Sequence, residues 1–350
     1  MLHIVKSPGS CGELIQGAID GQHFLVTCPI NRYSYALSGE HLRASLSNDN
    51  LSECLRAFLS DGHLSEHLNG MCSQLEVGLA GHDMMSSLLR SRAWEEMILR
   101  LKSKQLPRLQ PKGNQMMRLL GYDSKIDEQI ICVSELPQGK GLASSSADLS
   151  AIAMAASLLK EKALSYKDLE RLCLMVEPSD ASFYPGVVQF DYKKGTITKE
   201  LGLLPPLQLL IFDKGGMIDT VRFNAQVDLE YKIKQKEEVV LNALQLLEKG
   251  LRLQDLRRIG EAATLSAIAN QEILYKPELN DCIGLAEKLD SYGIVIAHSG
   301  TVLAFMFDPQ RNLTSAVELI VKKCPTLAYF DTVYSTNEGL TYDTINDVKR

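Results

Sequence analysis

The sequence lacks the features that assign a chain to several large classes of protein. No apolar run approaches the length of a membrane span, and the first residues do not have the charged-then-apolar layout of a signal peptide. The eight cysteines form no C-x-x-C pair and show no spacing typical of zinc ligands. With a net charge of −6, the chain shows no basic footprint for a nucleic acid. These absences predict a cytoplasmic protein with reduced thiols, no nucleic-acid partner and no membrane partner.

The length and the order of the predicted elements indicate two domains. A chain of 350 residues suits two domains better than one. The Pro205-Pro206 pair is the best boundary signal and gives domains 1–204 and 205–350. Apolar residues at helical spacing predict a helical insertion at about 48–107. Strands mixed with helices and hairpins indicate the α+β class. The predicted strands are 24–28, 33–37, 129–133, 187–192, 196–198, 207–212, 294–297 and 302–307, and the predicted helices are 149–159, 166–175, 227–248 and 256–274.

The most informative stretch, Pro137 to Asp148, reads PQGKGLASSSAD. A predicted strand precedes it, and an alanine-rich helix that is apolar nearly all round follows it. This order builds an anion site, because the first amide groups of a helix have no partner within the helix. Glycines let the backbone close around phosphate oxygens, and serine hydroxyls can bind an oxygen or Mg²⁺. The stretch is neither a Walker P-loop nor a G-x-G-x-x-G motif. It predicts binding of a nucleoside triphosphate; the structural alternative is a tight turn before a helix capped by Ser144 or Ser145.

The same stretch resembles the phosphate-binding motif of the GHMP kinases, P-x-x-x-G-L-G-S-S-A-A. Ala143 replaces a glycine of that motif, and Ser146 replaces an alanine. Residues 7–17 resemble the first motif of the family, with Ser10 where several members carry a lysine. Residues 294–302 resemble the third motif, with fewer glycines than most members. The residues that match the phosphate-binding motif are Pro137, Gly141, Leu142, Ser144, Ser145 and Ala147.

Within this family, the chain resembles in particular the L-threonine kinases of cobalamin synthesis. The region at about 48–107 has no counterpart in them. The resemblance implies ATP-dependent phosphorylation of L-threonine to O-phospho-L-threonine for the aminopropanol arm of the cobalamin nucleotide loop. A homoserine kinase is the alternative enzyme, and a non-catalytic nucleotide-binding protein is the alternative of a different class. The similarity rests on residues 10–17, 177–180, 260–269 and 297–300.

The family resemblance also implies a fold and a set of ligands. The fold is the two-domain GHMP kinase fold, with an N-terminal domain like domain 2 of ribosomal protein S5 and a ferredoxin-like C-terminal domain. ATP and Mg²⁺ are the implied cofactors, and the partner is a small-molecule substrate. A monomer and a homodimer both remain open. The residues implied to bind ATP are Pro137, Gly139, Lys140, Gly141, Leu142, Ala143, Ser144, Ser145 and Ser146.

Three residues are implied to carry the chemistry. Ser145 and Glu177 would bind Mg²⁺, which prefers oxygen ligands and takes one or two carboxylates from a protein. Asp180 would accept the proton of the substrate hydroxyl. The alternative interpretation is that Glu177 only ends a helix and Asp180 caps the next segment. Ser144 would bond phosphate oxygens, and Lys140 either reaches a phosphate or is solvated.

An amino-acid substrate needs one anchor for its ammonium group and another for its carboxylate. Glu13 is the candidate for the ammonium group, and the amides of residues 10–12 are candidates for holding an anion. Arg32 or Arg222 could bind the carboxylate in a fork. His298 either lines the pocket or fixes the turn beside it. The predicted substrate-binding residues are Ser10, Glu13, Gln16, His298 and Ser299.

Overall fold

The computed structural model describes residues 1–40, 42, 108–122, 129–218 and 226–345, so the predicted insertion at 48–107 lies outside the described residues. The strands are β1 (Leu2–Ile19), β2 (Gln22–Ser38), β3 (Ile130–Ser134), β4 (Val187–Asp191), β5 (Thr196–Gly202), β6 (Gln208–Asp213), β7 (Gly293–Ile296), β8 (Val302–Phe307), β9 (Ala328–Tyr334) and β10 (Thr341–Ile345). The helices are α1 (Pro111–Leu119), α2 (Ser144–Leu158), α3 (Tyr166–Val176), α4 (Leu229–Gln235), α5 (Glu237–Leu253), α6 (Leu256–Ala269), α7 (Leu279–Lys288) and α8 (Thr314–Lys323).

A ten-stranded sheet runs through the described residues. The strand order is β5-β4-β2-β1-β7-β8-β6-β9, with β10 paired to β1 and β3 paired to β2. Strand β1 is 18 residues long and its register with β2 shifts at three points between Pro8 and Ile15. Such irregularities bend a strand and increase its twist. Beyond the first two shifts, Glu13 pairs with Ile296 of β7, so that β1 connects strands from both predicted domains.

Helix α2 is held tightly against the strands β1 and β2. Thirteen of its fifteen residues are buried, and the many alanine and serine side chains allow a close approach to the sheet. The Ser150 and Ser7 hydroxyl oxygens lie 2.8 Å apart, and the Ser38 hydroxyl donates to the Ala155 carbonyl oxygen at 2.7 Å. Because buried polar groups need hydrogen-bond partners, these contacts fix the helix in one position on the sheet. These contacts also fix the position of the amino end of α2 next to the bent part of β1.

Two further clusters complete the core of the described residues. Helices α5 and α6 pack on β1, where Leu14 and Ile15 meet Leu247 and Ile259. Helices α7 and α8 cover β6, β7 and β8, with Phe305 fully buried among them. Six of the eight cysteines lie in the described residues, and all six are free thiols. In the same residues, no helix is both long and apolar enough to cross a bilayer.

The structure confirms most of the predicted elements and corrects several of them. The predicted strands 24–28 and 33–37 belong to one continuous strand, β2. The predicted helix 227–248 is wrong as a single helix, because Lys236 has non-helical dihedrals and separates α4 from α5. The predicted helix 256–274 ends at Ala269. None of β1, α1, α7, α8, β9 and β10 is predicted from the sequence.

Candidate active site

Residues 137–145, which connect β3 to α2 and include the first two residues of that helix, are here called the serine loop. Its carbonyl groups are bonded to two other parts of the chain. Lys140 O accepts from Thr301 N at 3.0 Å and from Val302 N at 3.2 Å, while Gly141 O accepts from Gly12 N at 3.2 Å. Leu142 O accepts from Ser10 N at 3.1 Å. With its carbonyls bonded to β1 and to the β7–β8 turn, the loop can present amide groups to an anion.

Three glycines allow these segments to touch. A Cβ atom on Gly12 would lie 2.2 Å from Ile296 O, and one on Gly300 would lie 2.3 Å from Lys140 O. A Cβ atom on Gly141 would lie 2.2 Å from Ala297 Cβ. Gly12 and Gly141 also have positive φ angles of 62° and 86°, which side chains disfavour. The segments that carry the three predicted motifs therefore pack against one another at this point.

Replacing Gly141 with alanine is expected to destabilise the protein and weaken nucleotide binding. The new methyl group would collide with Ala297, and such overpacking costs about 1–3 kcal/mol in the free energy of unfolding. Gly216→Ala is the matched control, because its φ of 75° is also positive but no atom lies within 4 Å of the added Cβ. Urea unfolding of both variants measures the difference. Equal losses in the two variants would show that the contact with Ala297 has no energetic importance.

The amino end of α2 begins without a serine cap. Ala143 occupies the capping position in the left-handed conformation, with φ 54°, and no side chain bonds the first amide groups. The alternative in which Ser144 or Ser145 caps the helix is therefore wrong. Ala147 N is bonded to Ala143 O, so the amides of the three preceding serines are those that a helix leaves without an internal partner. This is the arrangement that favours an anion at a helix start.

A cavity of about 1010 Å³ opens at this helix start. One face of α2 lines it with Ser145, Asp148, Leu149 and Ile152, which follow the three- and four-residue spacing of a helical stripe. The structure brings most of the predicted residues together at this cavity. Those that line it are Glu13, Gln16, Gly139, Gly141, Leu142, Ala143, Ser144, Ser145, Ser146, Glu177, Asp180 and Ser299.

Four predicted site residues do not line the cavity. The Lys140 ammonium group turns away and pairs with Asp213 at 2.6 Å, so that its predicted contact with a phosphate is corrected. Ser10 is buried, and its amide is already bonded within the fold, as is the amide of Gly12. Two of the three amides of the predicted anion site at 10–12 are therefore already occupied. Pro137 and His298 are the other residues absent from the cavity wall.

Arg32, one of the two predicted carboxylate anchors, is not found at the cavity either. The guanidinium group of Arg32 forms a fork with Asp331, through Nε–Oδ2 and Nη2–Oδ1 distances of 2.9 and 3.1 Å. The guanidinium edge that would form a two-point contact with a substrate carboxylate is therefore already occupied. Arg222 lies outside the described residues.

Ser145 and Glu177 form the pair predicted to bind a metal ion. The Ser145 hydroxyl donates to Glu177 Oε1. Lys112 Nζ lies 2.5 Å from Glu177 Oε2 and 3.3 Å from Ser145 Oγ, so that a cationic group is held by both oxygen donors. One carboxylate and one hydroxyl fit Mg²⁺, which obtains its remaining ligands from phosphates and water. Among the described residues no group of three or more histidine, cysteine or acidic side chains could hold a metal by itself.

Asp180 lies a short distance further along the chain on the same wall. Its backbone N–H donates to Ser146 Oγ at 2.9 Å, which ties this segment to the start of α2. Burial raises the pKa of Asp180 to about 7, and the negative charges of Glu13 and Glu177 add to the increase. A carboxylate whose pKa lies near neutrality is suited to accept a proton from a hydroxyl group. Glu177 and Asp180 thus both face the cavity, as the catalytic interpretation requires.

Glu13 is held in place by the turn after β7. The His298 backbone N–H donates to Glu13 Oε2 at 2.8 Å, and His298 Nδ1 lies 3.1 Å from the same oxygen. Burial lowers the pKa of His298, which favours the neutral ring. The Nδ1 proton then faces Glu13, and Nε2 accepts from the Ser266 hydroxyl at 3.0 Å. Of the two interpretations of His298, the structure supports the one in which it fixes the turn beside the pocket.

Three side chains at or behind the site were missed by sequence reasoning. Lys112 belongs to the unpredicted helix α1, and nothing in its surroundings in sequence resembles a motif. Asp148 was detectable, because it lies three residues after Ser145 on the same helix face; burial raises its pKa to about 6. Lys276 is buried and donates to Gly300 O at 2.6 Å, so it supports the turn against the serine loop.

The comparisons with known proteins agree with this geometry. Residues 113–184 match the family described as GHMP kinases N terminal domain, and residues 245–323 match GHMP kinases C terminal. The chain belongs to the GHMP kinase family. Both matches fall on the part of the chain that builds the cavity and its supporting layer. The first covers α1 from Gly113 onward, the serine loop and Asp180, and the second covers α6 and the turn after β7.

This GHMP kinase is similar to curated L-threonine kinases. It is 28% identical to the one from Citrobacter freundii over 309 residues, which cover 88% of each chain. It is 27% identical to the one from Salmonella typhimurium, covering 88% of this chain and 84% of the other. A solved homoserine kinase from Cytophaga hutchinsonii superposes with a TM-score of 0.57 at 15% identity, covering 98% and 97% of the two chains. The two-domain GHMP kinase fold predicted from sequence is thereby confirmed.

Proposed function

We propose that this kinase transfers the γ-phosphoryl group of ATP, bound with Mg²⁺, to the hydroxyl group of L-threonine. The product would be O-phospho-L-threonine, used in synthesis of the cobalamin nucleotide loop. The main support is the similarity to L-threonine kinases, which extends over 88% of the chain. The cavity supports the same proposal. The serine loop and the first amides of α2, here called the nucleotide cradle, lie in it together with the carboxylates of Glu13 and Asp180.

In this proposal each part of the cavity has one task. The amides at the start of α2, with Ser144, hold phosphate oxygens. Ser145 and Glu177 hold Mg²⁺, which when bound neutralises charge on the phosphates and aligns them for transfer. Asp180 accepts the proton of the substrate hydroxyl. Glu13, fixed by His298, pairs with the substrate ammonium group. Phosphoryl transfer depends mainly on such positioning and charge compensation.

A homoserine kinase remains the alternative enzyme. Both acceptors are small hydroxy amino acids, and the machinery at α2 would serve either. The solved homoserine kinase shares the fold at 15% identity. The threonine proposal has the stronger support, because the likeness to L-threonine kinases is higher in identity over most of the chain.

An acceptor panel tests the proposal directly. ADP release is measured with ATP and Mg²⁺ against L-threonine, L-serine, L-homoserine and mevalonate. We expect threonine to exceed serine by about 10- to 100-fold in kcat/KM, since one extra methyl in an apolar niche contributes about 1–3 kcal/mol. Mass spectrometry of the product then locates the phosphate. Rapid turnover of homoserine without threonine would favour the alternative enzyme. Detectable ATP binding with a flat panel would favour a non-catalytic nucleotide binder.

A further inference from the structure

The cavity has an imbalance of charge that the nucleotide must overcome. Four carboxylates line it: Glu13, Asp148, Glu177 and Asp180. Among the described residues that line it, the cations are Arg108 and Lys112. A triphosphate is strongly negative, and like charges repel strongly where water is scarce. A cation of the protein that acts on the phosphates, together with the helix amides and Mg²⁺, would reduce this repulsion.

Two positions near the serine loop cannot supply this cation. Lys140 is bonded to Asp213 and to the carbonyl oxygen of Gly216, at 2.6 and 2.8 Å. Ser10 stands where a lysine occurs in several GHMP kinases, and it is buried and uncharged. The serine loop itself thus lacks a free ammonium group. The position of Lys112 becomes significant for this reason.

Lys112 reaches the site from outside the three sequence motifs. It is the second residue of α1, and its side chain is half exposed. Its ammonium group contacts both Glu177 and Ser145, at 2.5 and 3.3 Å. These are the two side chains assigned as metal ligands. An ammonium group and Mg²⁺ cannot occupy the same space between them.

We propose that Lys112 is a phosphate-binding residue that rests on Glu177 and Ser145 when no nucleotide is present. The proposal rests on the ATP-dependent function proposed above. When the two oxygen donors take the metal of Mg·ATP, the Lys112 ammonium leaves them and bonds the phosphate oxygens beside them. A lysine binds phosphate as a mobile point charge, which suits such a change of partner. Lys112 thus supplies the positive charge that the first motif lacks at Ser10.

Binding of ligands with and without a phosphate chain separates this role from a structural one. Affinities for ATP and adenosine are measured calorimetrically in the presence of Mg²⁺ and without an acceptor, for the wild-type protein, Lys112→Met and Lys112→Arg. We expect Lys112→Met to weaken ATP binding by about 10- to 100-fold, the effect of one charge-assisted hydrogen bond. Adenosine binding should be unchanged, because it has no phosphate. Lys112→Arg keeps the charge and should stay within a few-fold of wild type.

Lys167→Met is the matched control. Lys167 is also the second residue of its helix, α3, and is exposed, but it does not line the cavity. We expect its affinities to equal those of the wild-type protein. The proposal is overturned if Lys112→Met binds ATP as tightly as wild type, or if it loses ATP and adenosine equally, which would indicate a structural role. Wild-type protein that binds no ATP, with or without Mg²⁺, would instead refute the proposed function.

Discussion

Glu177→Gln is expected to lower kcat by on the order of 10³-fold, because it removes the carboxylate proposed to hold Mg²⁺. The glutamine keeps the size of the side chain and one acceptor oxygen, so the fold should be preserved. The loss should be partly recovered at high Mg²⁺, because the remaining ligands still bind the ion weakly. Steady-state rates over a range of Mg²⁺ concentrations measure this effect. Ser145→Ala should act in the same direction with a smaller loss.

The control for this prediction is Glu238→Gln. Glu238 is an exposed glutamate in the first turn of α5, remote from the cavity wall. Its replacement should change neither kcat nor the Mg²⁺ dependence. If Glu177→Gln and Ser145→Ala both kept full turnover at every Mg²⁺ concentration, the assignment of these two residues to the metal would be wrong.

Asp180→Asn is expected to reduce kcat by about 10²- to 10⁴-fold while leaving ATP affinity nearly unchanged. A positioned general base typically contributes a factor of this size, and asparagine cannot accept the proton. The retained ATP affinity is the internal control, because it shows that the α2 cradle is intact. A variant with normal kcat would show that the hydroxyl proton leaves by another route, and Asp180 would then have no role as a base.

The pH dependence of the wild-type reaction rate should show the titration of the Asp180 carboxyl group. The pKa of Asp180 is raised to about 7, so the carboxyl is protonated and inactive as a base below this pH. Activity should therefore rise as the pH increases through about 7. Stability should change in the opposite direction: between the ordinary pKa of an aspartate and 7, the folded state binds more protons than the unfolded state, so unfolding becomes easier as pH rises. Asp180→Asn should lack the acidic limb of kcat/KM.

The sequence was sufficient for the fold and for the residues close to the serine loop. The order of strand, glycine loop and helix start predicts an anion site, and the family resemblance identifies Ser145 within it. Glu177 and Asp180 follow the end of α3 and were predicted by order and resemblance. These assignments depend on local geometry or on residues near one another in the chain. The division into domains 1–204 and 205–350 and the catalytic roles remain predictions.

The errors arose where a long-range partner decides what a side chain does. Lys140 lies within the serine loop, yet Asp213, 73 positions away, binds its ammonium group. Arg32 is similarly engaged by Asp331. Lys112 reaches Glu177 across 65 positions, and no local pattern reports such a contact. Spacing describes one element at a time, whereas these ion pairs depend on how separate elements pack.

The shared strand β1 has a practical consequence for work with parts of this kinase. A fragment that stopped at residue 204 would lose β10, which pairs with residues 2–6 of β1, and would lose β7 opposite Glu13. Both losses would leave backbone N–H and C=O groups of β1 without their hydrogen-bond partners, on a strand edge that is paired in the whole chain. Exposed edges of this kind promote association between molecules. The nucleotide cradle is therefore poorly suited to expression as a separate piece, even though all the serines that form it lie before residue 204.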